Sequence, residues 1–352
     1  MGAKLVLFVT GMCHAKCFYC PLSEKKRWKD VVYANERKVR KDALKEIIEE
    51  AESIDALGTG ITGGEPLLVL HRVENYISAL KSHFGKEHHI HLYTAVAAAP
   101  HHLKRLKEAG LDEIRFHLNF SEWYPLFSSK EKDKLSFESS ILKSLEIGLD
   151  TGVEIPLLPA NYQPYLRLID YLNELGLNFL NLNELEYSPT NYHELNNRGW
   201  SVKNDISSAV KGSEILANKI FSRIEEKSHK LNLSIHFCSV SFKDGVQLRN
   251  RLIRQALNRA RPYEKVTEDG TLIKGIVQFP RHFTSQDMEN YLKTLQKKLD
   301  MTSALFYLNY EKKIIETSID IIKKIAKVTN FPCFVIENYP SYDGLEVERE
   351  PI

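Results

Sequence analysis

Short apolar runs alternate with amphipathic stretches along the first half of the chain. Residues 4–10 form an apolar run suited to a buried strand, and residues 42–53 place apolar side chains at helical spacing. The same alternation predicts further strands in the glycine-containing stretch 56–67 and at 89–94, 113–120, 153–158 and 179–186. Six such βα units with short connections predict a parallel sheet with right-handed crossovers, and hence a full or partial (β/α) barrel.

Beyond residue 186 this regular alternation stops. The pattern then predicts a polar loop at 191–200, a long helix at 206–230, a short strand ending at Cys238 and a basic helix at 247–261. From residue 265 onward it predicts two strands around a turn, a helix, a strand at 304–310, a helix, a strand at 333–337 and a final strand. This order is typical of a small α+β domain.

These elements predict an α/β protein with three segments. The expected division is a barrel core over 1–190, a helical connector with the basic helix over 191–264, and a smaller C-terminal α+β domain over 265–352. The boundaries rest on the pattern alone.

Composition narrows the classes of function. The chain has 352 residues, of which 43% are hydrophobic and 27% charged, and its formal net charge is +2. These values are ordinary for a soluble globular protein, and no apolar run approaches the ~20 residues that span a bilayer. Five cysteines, odd in number and clustered, indicate a reducing cytoplasm rather than a secreted disulfide scaffold.

Three of those cysteines crowd into the stretch "GMCHAKCFYC", as Cys13, Cys17 and Cys20. Three thiols cannot pair off, and such short loops strain a disulfide. The spacing suits thiolates that hold a metal centre on a tight loop. Two centres fit the residues: an iron–sulfur cluster, or a structural zinc ion with His14 or a distant histidine as fourth ligand.

A second motif, "TGGEP" at 62–66, follows a predicted strand. Gly63 and Gly64 permit close approach of the backbone to a ligand, and Glu65 is the one side chain of the motif with a full charge. Both motifs lie at the C-terminal ends of predicted strands, where α/β barrels place their chemistry.

"CHAKCFYC" resembles the C-x3-C-x-Φ-C loop of the radical S-adenosylmethionine (SAM) superfamily, with Tyr19 at the aromatic position. TGGEP resembles the second motif of that superfamily. The resemblance covers residues 1 to about 190 and is greatest to the pyruvate formate-lyase activating-enzyme group. It implies a partial (β/α)6 barrel of radical SAM type, with three cysteines bound to a [4Fe-4S] cluster and SAM on the fourth iron.

The resemblance also implies a reaction and its partners. An external donor, flavodoxin- or ferredoxin-like, supplies an electron that cleaves SAM to methionine and a 5′-deoxyadenosyl radical. That radical abstracts hydrogen from a substrate. A glycyl-radical enzyme, an RNA base, a peptide and a small metabolite all remain compatible with the sequence.

Further cofactor contacts follow from the resemblance. Family members place SAM-binding groups at strand ends. The residues at those places here are Gly63, Gly64, Glu65, Pro66, Thr94, His117, Asn119 and Glu154. For His117 and Asn119 the alternative is a hydrogen-bonded pair inside the barrel. Asn183 and Glu184, which end the sixth strand, are candidates for the adenine side or the substrate.

The remaining polar clusters have simpler interpretations. Arginines 249, 251, 254, 259 and 261 could contact RNA phosphates or form a solvated face. Cys238 and Cys333 are expected in the core, and histidines 88, 89, 91, 101 and 102 on the surface. The rival to an enzyme is a zinc-stabilised binding module without catalysis, for which RNA is the candidate partner.

Overall fold

The computed structural model describes residues 3–129, 135–226, 231–302 and 305–352. Contacts divide the chain into two compact units. The first contains Met1–Glu52 and Ala56–Val246, and the second contains Ser53–Asp55 and Gln247–Ile352.

A nine-stranded sheet forms the centre of the first unit. Its parallel strands are β1 (Lys4–Phe8), β4 (Gly58–Thr62), β5 (His89–Thr94), β6 (Glu113–Phe116), β7 (Asp150–Leu157), β8 (Phe179–Glu184) and β11 (Ser234–Cys238). The antiparallel hairpin β2 (Val32–Ala34) and β3 (Arg37–Val39) extends the sheet beside β1. From edge to edge the order is β11, β8, β7, β6, β5, β4, β1, β2, β3.

Helices connect successive parallel strands. They are α1 (Leu44–Ser53), α2 (Leu70–Phe84), α3 (Pro100–Ala109), α4 (Phe120–Leu126), α5 (Glu138–Glu146), α6 (Gln163–Glu174), α7 (Tyr192–Asn196) and α8 (Ser213–Glu225). Sequence explains several of their ends; α3, for example, begins at Pro100 and stops at Gly110, which has a φ of 110°. None of the described helices has the length and apolar character needed to cross a membrane.

Alternation along each strand separates a buried apolar face from a polar face. Leu5 on β1, Ile90 on β5 and Ile114 on β6 are fully buried on the apolar face. The opposite face carries His91, Tyr93, Arg115, Glu154 and Asn181. The residues that follow the C-terminal ends of these strands form the candidate site.

The second unit is an antiparallel sheet with three helices. Its strands are β12 (Lys265–Val266), β13 (Leu272–Gln278), β14 (Tyr307–Asn309), β15 (Ile314–Thr317), β16 (Cys333–Asn338) and β17 (Glu346–Pro351). Its helices are α10 (Arg249–Arg259), α11 (Ser285–Leu299) and α12 (Ile319–Ile325), with a short helix α9 (Val240–Phe242) preceding them in the first unit. Val277, Met288 and Ile322 lie in its core.

The predicted fold class is confirmed: a partial α/β barrel is followed by a smaller α+β domain. All six predicted strands are present, and β11 joins the sheet as a further parallel strand. The predicted boundaries at residues 190 and 264 stay predictions. By contacts, residues up to Val246 group with the barrel, and α10 groups with the second unit.

One predicted helix is wrong in its first part. Within 206–230, β10 (Ser207–Val210) is a strand that forms a hairpin with the preceding β9 (Val202–Asn204), and α8 begins only at Ser213. Gly212, with a φ of 98°, separates the two elements. The predicted helix end at Lys230 and the predicted strand start at Ala304 lie outside the described residues.

Candidate metal and cofactor centre

The cysteine loop connects β1 to β2 and is closed on itself by its backbone. The amide of Gly11 donates to the carbonyl of Lys29 at 2.8 Å, and the amide of Trp28 donates to the carbonyl of Gly11 at 2.8 Å. A Cβ on Gly11 would lie 1.7 Å from the carbonyl oxygen of Lys26. Only glycine therefore fits at this closure.

The TGGEP turn packs directly on that loop. The amide of Gly64 donates to the carbonyl of Thr10 at 2.7 Å, and the amide of Glu65 donates to that of Met12 at 2.8 Å. A Cβ on Gly63 would lie 2.5 Å from the Thr10 oxygen, and one on Gly64 would lie 2.4 Å from the Met12 oxygen. The two glycines therefore let one backbone approach another, and their contact with a ligand stays a prediction.

The Glu65 side chain is buried and fully anchored. It is only 1% exposed. Its Oε1 accepts hydrogen bonds from the Leu67 amide at 3.0 Å and the Thr94 hydroxyl at 2.9 Å, and its Oε2 accepts one from the Ala95 amide at 2.7 Å. Burial raises the pKa of Glu65, and these hydrogen bonds oppose that shift. Glu65 thus connects the TGGEP turn to the end of β5. Pro66, the next residue, begins a 3-10 helix.

The three loop thiols differ in burial. Cys17 is buried, whereas Cys13 and Cys20 are partly buried. Burial raises the pKa of Cys17 to about 11 and also raises the pKa of Cys13. Both thiols must therefore lose a proton when a metal binds, as metal-ligand thiols generally do.

The two candidate metal centres require different arrangements of the thiols. A single zinc ion needs every sulfur about 2.3 Å from one point, whereas an iron–sulfur cluster binds each thiolate through a separate iron. Within the described ranges, no three His, Cys, Asp or Glu side chains are grouped closely enough to hold one metal ion.

Tyr19 and His117 support the cysteine loop from the barrel. The Tyr19 hydroxyl lies 3.1 Å from Nε2 of His117, and Nδ1 of His117 lies 3.2 Å from the backbone oxygen of Glu154. Because a carbonyl oxygen only accepts, Nδ1 carries the hydrogen and Nε2 accepts from Tyr19. Burial lowers the pKa of His117, which favours this neutral form. Cys17 Sγ lies 3.9 Å from the same Nε2.

Two other predicted cofactor residues have partners within the protein. Asn119 caps α4 by accepting a hydrogen bond from the Ser121 amide at 3.1 Å. The Glu154 carboxylate accepts hydrogen bonds from Arg115 Nη1 at 2.9 Å, Asn181 Nδ2 at 3.0 Å and Asn183 Nδ2 at 2.8 Å. The roles of His117, Asn119 and Glu154 toward a cofactor stay predictions.

Asn191 is an anchoring residue that the sequence did not reveal. Its side chain is 1% exposed, and its Nδ2 donates to the carbonyls of Tyr19 at 3.0 Å and Glu186 at 2.9 Å. An apolar cluster joins the loop to later segments through Cys17, Tyr19, Leu158, Leu185, Leu195 and Val210. The segment after residue 190, predicted as a connector, therefore packs on the cysteine loop. In the sequence, Asn191 can be recognised only as a residue type that favours turns. In the structure its Oδ1 accepts a hydrogen bond from the Ser188 amide, as such turn residues do.

Asp30 and Arg72 anchor the other side of the loop, again without a sequence signal. Arg72 donates to both carboxylate oxygens of Asp30, at 2.7 and 3.0 Å, and to the carbonyl of Val9 at 2.8 Å. The Arg72 guanidinium holds the pKa of Asp30 well below its usual range. Thr10 Oγ1 donates to Asp30 at 3.0 Å.

The other cysteines and the histidines show one error of interpretation. Cys333 is buried in the second unit, and Cys238 is partly buried beside Asn183 at the end of β11. His88 and His91 are only 4% and 6% exposed, so the expectation of surface histidines is wrong for these two. His91 fits because Gly60 on the adjacent strand has no Cβ; one would lie 2.6 Å from its Nε2.

Arginines of the basic helix contact groups of the second unit. Arg249 binds Asp269 and the carbonyl of Glu268, and Arg259 donates to the carbonyl of Pro340. Their proposed contact with nucleic acid stays untested.

Comparison with known proteins places the chain in a family. The model of the radical SAM superfamily matches residues 7–183, and that of a domain of unknown function, DUF8061, matches residues 270–352. A Methanocaldococcus jannaschii protein, which its name proposes to be a glycyl-radical enzyme activating enzyme, is 41% identical over 100% of this chain and 90% of its own length. A GTP 3′,8-cyclase of Corynebacterium glutamicum is 23% identical over 64% of this chain and 56% of its own.

Solved structures give weaker matches. Streptococcus suis SuiB bound to SAM has 14% identity and a TM-score of 0.47, over 68% of this chain and 51% of SuiB. A spore photoproduct lyase mutant has 14% identity and a TM-score of 0.46, over 66% of this chain and 75% of the lyase. The assignment rests on the sequence matches: the chain belongs to the radical SAM superfamily and is an enzyme that uses a [4Fe-4S] cluster and SAM.

Proposed function

We propose that this enzyme is an activating enzyme that abstracts hydrogen from a glycine of a partner protein. The relative with 41% identity supports this proposal, because its name proposes the same activity and the match extends over 100% of this chain. Cys13, Cys17 and Cys20 are the proposed ligands of three irons, which leaves one iron open for SAM.

The observation that carries the proposal is the direct backbone contact between the two motifs. Because Gly64 and Glu65 donate to the carbonyls of Thr10 and Met12, the TGGEP turn and the cysteine loop form one unit. A ligand held by the cluster would therefore meet the turn at a fixed position, which is the preorganisation that a reactive site needs.

Bound together, the cluster and SAM supply reductive cleavage of SAM to methionine and a 5′-deoxyadenosyl radical. The protein's part is to orient SAM and to exclude water from the site. Glu65 has its three protein hydrogen bonds on two oxygens, so the ionised carboxylate retains capacity to accept one from the SAM ammonium. Thr94 positions that carboxylate through its hydroxyl.

The electron is proposed to come from an external redox protein. Outside the cysteine loop the sequence holds only Cys238 and Cys333, too few thiols for a second cluster bound by cysteine alone. A flavodoxin or ferredoxin is the class of donor with a suitable potential.

An anaerobic assay tests the proposal in two steps. Reconstituted enzyme with dithionite and SAM should form 5′-deoxyadenosine, and the Cys17→Ala variant should not, whereas the Cys333→Ala control should. The second step adds a glycyl-radical enzyme from the same organism, deuterated at its glycines. Deuterium in 5′-deoxyadenosine supports a glycine substrate; SAM cleavage without deuterium transfer contradicts that substrate while leaving radical SAM chemistry intact.

A further inference from the structure

Positive charge is concentrated in the segment that carries the cysteines. Residues 11–41, here the basic segment, contain nine Lys or Arg and three Asp or Glu, while the formal net charge of the whole chain is +2. The rest of the chain is therefore net acidic. A charge asymmetry of this kind on a near-neutral protein is a local electrostatic feature, suited to steering a partner.

Most of this charge faces solvent. Lys16, Lys25 and Lys29 on the loop, and Lys38 on β3, are exposed. Of the three acids, Asp30 is already paired with Arg72 and Lys41. Arg37 and Arg40 also pair with Glu46 of α1. The positive field of the basic segment therefore comes mainly from its exposed lysines.

An exposed tryptophan lies among these charges in an unusual backbone conformation. Trp28 is 64% exposed and has a φ of 59°, a left-handed value that costs a non-glycine residue about 1–3 kcal/mol. Its amide hydrogen bond to Gly11 fixes that conformation, and the Arg27 guanidinium lies 4.5 Å from the ring centroid. The fold therefore holds a large apolar ring in water at an energetic cost, and an outlier of this sort points to a contact outside the chain.

A shallow groove lies beside the loop. Its volume is about 620 Å³, and it is lined by Lys41, Leu68, His71 and Arg72 among others. Leu68 is 44% exposed and follows the TGGEP turn by two residues. Basic and apolar side chains therefore line one groove next to the two motifs.

From these observations we propose that the basic segment, with Trp28 at its centre, is the docking surface for an acidic electron-transfer protein. The proposal rests on the function proposed above, which requires an external donor. Its partner is a small redox protein with a negative face, of the flavodoxin or ferredoxin class. Trp28 supplies a rigid apolar anchor, and the surrounding lysines supply attraction and orientation.

The location favours a redox protein over RNA, the other partner that basic and aromatic side chains suit. Electron transfer weakens steeply with distance, and the basic segment contains all three proposed cluster ligands. Gly11, which closes the loop through Trp28, is two residues from Cys13. A partner seated on Trp28 is therefore separated from Cys13 by one backbone hydrogen bond and two residues of chain. Transient redox pairs also use small, charge-steered interfaces of this kind.

Binding of a purified acidic flavodoxin, and of an acidic ferredoxin, to the cluster-loaded enzyme tests the surface directly. The triple variant Lys25→Glu/Lys29→Glu/Lys38→Glu should bind the better of the two at least about tenfold more weakly at low salt, and the difference should fall at high salt. The matched control Lys293→Glu/Lys297→Glu/Lys323→Glu changes three exposed lysines of the second unit and should bind like wild type.

Trp28→Gly separates docking from folding. Glycine adopts the left-handed φ without strain, so this variant should unfold at or near the wild-type temperature. Loss of the anchor should nevertheless weaken binding about tenfold. Dithionite-driven SAM cleavage should stay unchanged in both variants because this reductant needs no docking, whereas cleavage driven by the protein donor should fall in step with affinity.

Three outcomes would overturn the docking surface. They are equal donor binding by the triple variant and wild type, equal weakening in the control, and salt-dependent binding of a single-stranded RNA oligonucleotide in preference to either acidic protein. Failure of dithionite-driven SAM cleavage in wild type is a different result, since it contradicts the proposed function itself.

Discussion

The hydroxyl of Tyr19 donates to Nε2 of His117 at 3.1 Å, so the aromatic position of the cysteine motif is fixed by the barrel itself. The same hydroxyl accepts a hydrogen bond from the Phe120 amide at 3.2 Å, and His117 is fixed in turn by the Glu154 carbonyl. The loop that carries the thiols is thus oriented by β7 and by the segment following β6 before any cofactor binds.

Tyr19→Phe should destabilise the fold without removing a thiol. It leaves Nε2 of His117 and the partly buried Phe120 amide without their partner, at a cost of about 1–3 kcal/mol. Urea denaturation of the apo protein measures that cost, and iron content should remain near wild type after reconstitution. Tyr310→Phe, which removes an exposed hydroxyl bonded to Glu289, should cost far less. Equal stability of Tyr19→Phe and wild type would contradict the role assigned to this contact.

Glu65→Gln should weaken both the turn and SAM binding. Its amide NH2 would face either the Ala95 amide or the Leu67 and Thr94 donors, so a donor meets a donor in a buried site. We expect a loss of about 1–3 kcal/mol in stability, and SAM affinity lower by about ten- to a hundredfold. Thermal unfolding and calorimetric titration with SAM measure the two effects, with exposed Glu24→Gln as the control. Wild-type affinity in a cluster-loaded Glu65→Gln protein would remove Glu65 from SAM binding.

The sequence predicts the features that depend on residue type within one short segment. Residues 4–10 form a nearly continuous apolar run and residues 89–94 alternate polar with apolar side chains, so both are recognisable as strands without a structure. Thiolate ligands must be cysteines, and the turn that meets the loop requires Gly63 and Gly64, so both motifs are visible as well.

Features that depend on contacts between residues far apart in the sequence cannot be predicted in this way. Arg72 and Asp30 are 42 residues apart, and Asn191 binds a carbonyl 172 residues away, so neither looks different from an ordinary polar residue. The pattern predicts helix across β10 because the strand shows no alternation: Ala209 and Val210, which are adjacent, are both buried. The burial of His91 cannot be predicted from the sequence, because the space that Gly60 leaves for it exists only once β4 and β5 pair.

Arg72→Met should lower stability in a pH-dependent way. Asp30 has a lowered pKa in the folded state, so its stabilising pair is present above the unfolded value of about 4 and is lost as pH falls below it. The exposed fractions of the two side chains, 18% and 34%, limit the effect at neutral pH to about 1–2 kcal/mol. Unfolding free energies at several pH values should show the wild-type advantage shrinking progressively from about pH 5 downward, until the pH passes the lowered pKa of folded Asp30. A residual difference from the Val9 contact remains at low pH.

Lys45→Met is the matched control for that measurement. Its pair with Glu49 spans 3.8 Å, and its side chain is 89% exposed, so removal should change little at any pH. A wild-type advantage over Arg72→Met that grows as the pH falls would reverse the expected sign and exclude the Asp30 pair as its cause.

Replacing any one of Cys13, Cys17 and Cys20 by Ala should abolish cluster assembly. The reconstituted wild type should hold about four iron and four sulfide per chain, because each thiolate holds one iron of the cubane. Cys333→Ala removes a buried thiol of the second unit and should keep full iron content. Normal iron in all three loop variants would overturn the ligand assignment, and one zinc per chain in wild type would do the same.

Asn191→Ala should loosen the cysteine loop without touching a proposed ligand. The change leaves the carbonyls of Tyr19 and Glu186 and the Ser188 amide without their side-chain partner, at a cost of about 1–3 kcal/mol. Because Tyr19 and Cys20 are adjacent, a mobile carbonyl at Tyr19 also lets the third thiol move. We therefore expect normal iron content after reconstitution but faster loss of iron to a chelator, measured as the decay of the cluster's visible absorption.

Two companion variants show whether that effect comes from the hydrogen bonds. Asn191→Asp keeps the acceptor for Ser188 but turns a carboxylate oxygen toward two carbonyls, so its cluster should decay faster than that of Asn191→Ala. Asn196→Ala, five residues away and exposed on α7, should decay at the wild-type rate. If Asn191→Asp retained its iron as long as wild type, the segment after β8 would have no part in holding the cluster loop, and its packing there would serve only the fold.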